Sequence, residues 1–108
     1  MKNSQNVKIV VYVPVTHADA VRKAMGDAGA GKVGHYSFCS FSSRGTGRFL
    51  PLDGAHPAIG KVGKLESVEE EKIEMICKSD LVEAVISAMK VVHPYEEVAY
   101  EISSLLEV

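Results

Sequence analysis

The chain has 108 residues, a formal net charge of −2, 46% apolar and 24% charged residues, a size and balance that suit one domain (1–108) with its own core. Its twelve Lys and Arg residues are scattered rather than gathered into a patch, which argues against a nucleic-acid partner. No apolar run reaches membrane-spanning length and the polar tail 1–6 leads into no signal-peptide core, so a cytoplasmic protein without a membrane partner is expected.

Val7 to Val13 reads as a strand, β-branched and closed by Pro14. A helix follows, with Thr16 as its N-cap and Asp19 completing a capping box. Ala18, Val21, Ala24, Met25 and Ala28 recur at helical spacing, Arg22, Lys23 and Asp27 face water, and Gly29 ends the element. His17 reads as a solvated residue of the first turn.

All nine glycines lie between Gly26 and Gly63. Within that region Val33 to Phe41 has strand character, Gly45-Thr46-Gly47 reads as a turn, and Arg48 to Leu50 as a short returning strand. Asp53-Gly54 and His56-Pro57 are further turn signals.

Val68 to Cys77 is a second clear strand, with Ile73, Met75 and Cys77 alternating against Lys72, Glu74 and Lys78. Ser79-Asp80 stops it and caps a second helix, Asp80 and Glu83 forming another capping box. Leu81, Val82, Val85, Ile86, Met89 and Val92 make that helix's apolar face. Pro94 ends the helix after His93, and Val98 to Ser103 is the last strand. Leu105, Leu106 and Val108 are left as an apolar tail.

The order strand, helix, strand, strand, helix, strand predicts an α+β chain: a ferredoxin-like βαββαβ sandwich with both helices on one sheet face. A long excursion, Ser42 to Glu66, lies between the two middle strands. The other sheet face would then expose residues such as Val10 and Tyr12, which predicts a homo-oligomer.

The run from Gly29 to Glu74, GAGKVGHYSFCSFSSRGTGRFLPLDGAHPAIGKVGKLESVEEEKIE, followed by HPYEEVAYEI, resembles the domain inserted in NIF-three-like (NGG-one-interacting-factor-three-like) proteins. The likeness runs from Val7 to Ser103. It implies the fold of CutA and the PII signalling proteins, and with it a trimer. The residues of the dinuclear metal site in the surrounding domain of NIF-three-like proteins have no counterpart here, so hydrolase activity is not carried over.

Two constellations are candidates for chemistry. Arg44, Gly45, Gly47 and Arg48 would hold a small anionic ligand in a nest of backbone amides, with Tyr95 beside it. SRGTGRF lacks the GK[ST] ending of a phosphate loop. His93 and Glu96 of the HPYEE motif would converge with His35, Cys39 or Glu66 on a divalent metal ion such as zinc. No two histidines share metal spacing within one element. Cys39 and Cys77 read as free thiols, since two cysteines without CxxC spacing make no disulfide framework. The favoured reading is an oligomeric binding or regulatory module with clefts between subunits. The alternatives are a structural oligomerisation module docking on a separate protein, or a metal-dependent enzyme using His93 and Glu96. Because no nucleophile or oxyanion hole is specified, an enzyme is the less favoured class.

Overall fold

The computed structural model describes residues 1–108. Strand β1 (Lys2–Pro14) leads through a short 3-10 turn into helix α1 (Ala18–Asp27). Strands β2 (Phe41–Phe49) and β3 (Glu66–Lys78) follow, then helix α2 (Val82–Val92) and strand β4 (Tyr100–Glu107). The strands form one antiparallel sheet in the order β2-β3-β1-β4. This is the ferredoxin-like βαββαβ sandwich of CutA and PII, with an extended loop between β2 and β3.

The core follows from strand alternation. Ile9, Val11 and Val13 of β1 and Ile73, Met75 and Cys77 of β3 meet Val21 and Met25 of α1 and Val85 and Met89 of α2, all of them buried. The opposite residues of the same strands, Lys8, Tyr12, Lys72 and Glu74, stay outside that core, and Lys8 pairs with Glu74. Val10, expected as an exposed apolar residue of the open face, is buried within the single chain at 5% exposure, with Glu74 directly opposite it in the ladder. Tyr12 is half-buried.

Several local expectations are corrected. The polar residues 2–6 are not a tail: they extend β1, pairing Lys2 with Glu107 and Asn6 with Lys78. Leu105 and Leu106 likewise belong to β4. Neither helix begins on a side-chain cap. Each is preceded by a 3-10 turn, Val15–His17 before α1 and Ser79–Leu81 before α2, which moves the first helical residue past Thr16 and Asp80. The end of α1 is as expected: the Gly29 amide donates to the Gly26 carbonyl and the Ala30 amide to Met25, with Gly29 at φ +111°, a Schellman ending. Arg22 does not simply face water. Its guanidinium reaches across to Glu71 at 2.5 Å, to Ser42 at 3.0 Å and to Asp19, tying α1 to β2 and β3.

The glycine-rich middle differs most. Residues 33–40 make a compact turn held by the Val33–Tyr36 bridge, not a strand. Gly45-Thr46-Gly47 lies inside β2, in regular register with Val68, Glu69 and Glu70 of β3. The first eight residues of the expected excursion are therefore strand, and the true loop is residues 50–65.

Candidate functional site

The His93-Pro94-Tyr95-Glu96-Glu97 turn sits between α2 and β4, and its side chains bind it to the far end of the sheet. His93, only 6% exposed, donates from Nε2 to the Tyr12 carbonyl at 2.8 Å. Its Nδ1 accepts from the Tyr95 amide at 3.1 Å. A carbonyl can only accept and an amide can only donate, so this pair of bonds defines the neutral Nε2–H tautomer. Burial pushes the imidazole's pKa down from its usual value, in the same direction.

Tyr95 carries the next link. Its hydroxyl donates to Glu70 Oε2 at 3.1 Å, and its ring meets Phe49 edge-on with centroids 5.7 Å apart. Burial, then the bond to Glu70, raises the phenol's pKa, so Tyr95 stays a donor. Glu70 can lie there because Gly47 has no side chain: a Cβ on Gly47 would come within 2.2 Å of Glu70 Oε1. Glu96 then anchors the loop, accepting from the His56 amide at 2.8 Å.

Together these contacts enclose a cleft of about 500 Å³ between the HPYEE turn, the end of β2 and loop 50–65. Its lining is mostly apolar, with Leu50, Pro51 and Ile59 among the aliphatic groups. Tyr12, Phe49 and Tyr95 contribute rings, and Glu70, Glu96, Glu97 and Arg48 contribute charge. Such a cleft can hold a small molecule with an apolar body and orient it through a few polar groups.

Of the residues singled out for ligand binding, Gly47, Arg48 and Tyr95 come together here, whereas Arg44 and Gly45 stand outside the cleft. The proposed amide nest does not form, because Gly45 and Gly47 are extended ladder residues rather than turn residues. Of the metal candidates, Glu96 lines the cleft and His93 lies beneath it with both ring nitrogens engaged. His35 is in the 33–40 turn, Cys39 faces a second groove beside Phe41 and Leu105, and Glu66 begins β3. No three His, Cys, Asp or Glu residues are gathered so as to hold a metal ion, so the set does not fit a zinc site within one chain. Both cysteines are free, Cys77 buried and Cys39 half-buried. No helix is long and apolar enough to cross a membrane.

Phe49, Glu70 and Tyr12 are the site residues that sequence reasoning missed. One signal was present: Glu69-Glu70-Glu71 puts three acids in a row inside a strand, against strand preference. Alternation sends Glu71 inward to Arg22 and Glu70 outward to Tyr95.

No family model matches the chain. The "GTP cyclohydrolase 1 type 2 homolog" of Halalkalibacterium halodurans is 54% identical over 98 residues, 91% of this chain and 26% of that protein. The crystal structure of a Bacillus cereus protein related to NIF3 superposes with a TM-score of 0.82 at 52% identity, covering 97% of this chain and 27% of the other. The PII-like protein CutA from Nostoc sp. PCC 7120 superposes with a TM-score of 0.62 at 14% identity, covering 94% of this chain and 80% of the other, which is a likeness of fold. The expectation that weighed against an enzyme is overturned here, because the relatives that contain this segment carry the name of an enzyme family. The chain spans about a quarter of the length of those relatives. It resembles the NIF3/GTP cyclohydrolase 1 type 2 family over that segment and shares the fold of CutA and PII.

Proposed function

We propose that the chain is an oligomeric, ligand-holding regulatory module that works with the catalytic remainder of a NIF3-like enzyme, on the same polypeptide or on a separate one. The observation that carries this reading is the cleft of about 500 Å³ built between loop 50–65 and the HPYEE turn on a complete sandwich. Its size is that of ordinary small-ligand sites, about 300–1,000 Å³. The likeness to segments making up about a quarter of enzyme-named relatives supplies the context. Metal chemistry is assigned to the remainder, since this chain gathers no three metal ligands.

Assembly as a trimer is part of the same reading. It is the CutA/PII arrangement, and the chain exposes Tyr36, Phe41 and Leu106, with Leu52 and Leu65 on the loop. Apolar area of that kind favours burial against a copy.

A domain exchange tests the reading. The matching segment of the Bacillus cereus protein, 52% identical, is replaced by this chain, and the chimera's mass and bound metal are measured. The chimera is expected to keep the parent's oligomeric mass and metal content. Collapse to smaller species or loss of the metal would overturn the proposal.

A further inference from the structure

We infer that the cleft beside Tyr95 takes a small organic cation, an amine or amidinium carried on a flat apolar body. The inference rests on the reading of that cleft as a ligand site and adds the ligand's chemistry.

Three carboxylates, Glu70, Glu96 and Glu97, line the cleft against the single guanidinium of Arg48, and no lysine or histidine joins them. Two of the carboxylates are half used. Glu70 accepts the Tyr95 hydroxyl through Oε2, and Glu96 accepts the His56 amide through Oε1. Their second oxygens and the Glu97 carboxylate remain as acceptors for N–H donors. An ammonium or amidinium supplies donors and no acceptor, which matches this set.

The aromatic residues point the same way. Tyr12, Phe49 and Tyr95 line the same space, and ring faces attract a cation within about 6 Å. The aliphatic lining accommodates an apolar body, so a bare metal ion or a strongly hydrated ion fits poorly. An anion would meet like charge from three carboxylates against one guanidinium. It would also find no amide nest, because Gly45 and Gly47 are paired in the β2–β3 ladder. The small anionic ligand that the glycines and arginines suggest from sequence is thus the wrong sign for this cleft.

The test uses three probes with one ring and different charge: benzamidinium, benzoate and benzyl alcohol, titrated into the ¹⁵N-labelled protein at neutral pH. Benzamidinium is expected to shift the amides of Gly47, Glu96 and Ala99 in a saturable way, more weakly as salt is raised, while the other two leave them in place. The double variant E96Q/E97Q keeps an acceptor for the His56 amide but removes two charges. It is expected to weaken benzamidinium binding roughly tenfold, as two partly exposed ion pairs would. Equal or stronger binding of benzoate or benzyl alcohol at these amides overturns the charge assignment and leaves a ligand site standing. Unchanged benzamidinium affinity in the double variant overturns it too. If no probe moves these amides, the ligand site itself is lost along with the inference.

Discussion

Replacing His93 by leucine is expected to lower the free energy of unfolding by about 3 kcal/mol, because it strands two backbone groups at once. The Tyr12 carbonyl loses its 2.8 Å donor and the Tyr95 amide its 3.1 Å acceptor, beneath a residue that is 6% exposed. For a domain of this size the midpoint of thermal unfolding should fall by on the order of 15 °C. Calorimetry of the two proteins checks it. A loss below about 1 kcal/mol would mean that water replaces the imidazole and that the turn is not locked.

The same residue sets a pH dependence whose sign is determined. Desolvation holds the folded pKa of His93 below its usual 6.5, partly offset by the Tyr12 carbonyl and Glu70 and reinforced by His17. The unfolded chain therefore binds the proton first as pH falls. Stability contributed by neutral His93 is fully present above pH 6.5 and is lost as pH drops through that value toward the folded pKa. Protonation would also set an Nδ1–H against the Tyr95 amide, two donors face to face. In the leucine variant this part of the acid slope disappears.

Gly31→Ala is the second large effect, expected at about 3 kcal/mol or more from backbone strain plus overpacking. Gly31 lies at φ +81°, and an added Cβ would stand 2.6 Å from the Cys39 carbonyl oxygen and 2.8 Å from its nitrogen. Those neighbours are backbone and cannot rotate away. Two hydrogen bonds hold the position, from the Gly31 amide to Ile76 at 2.7 Å and from the Cys39 amide to Gly31 at 2.8 Å. Denaturant unfolding measures the loss. A variant within 0.5 kcal/mol of the parent (roughly the scatter of ordinary surface substitutions) would show that the 33–40 turn opens freely.

The sandwich was legible because its core speaks in periods. Ile73, Met75 and Cys77 step by two, and Val85, Ile86 and Met89 recur at helical spacing. What was not legible depended on partners distant in sequence. Residues 2–6 are polar, and only the arrival of β4 and the end of β3 turns them into strand. Tyr36 and Phe38 look like strand residues, yet the turn they sit in needs positive φ at Gly34 and Phe38. Conversely, the glycines of SRGTGRF suggested a turn, while pairing with a thirteen-residue β3 carries them as an edge strand.

The site divides along the same line. HPYEE stood out because proline after a helix, next to His, Tyr and two acids, is a local pattern. Its partners Tyr12, Phe49 and Glu70 are 83, 46 and 25 residues from Tyr95 along the chain and were invisible without the sheet register. That register also leaves Arg44 outside the cleft and sets three carboxylates beside Arg48 in its mostly apolar lining.

Native mass spectrometry of the protein at micromolar concentration tests the central claim, an oligomeric module of the CutA/PII kind, most directly. The account predicts a dominant species at three times the 11.7 kDa chain mass. A single species at 11.7 kDa would contradict it.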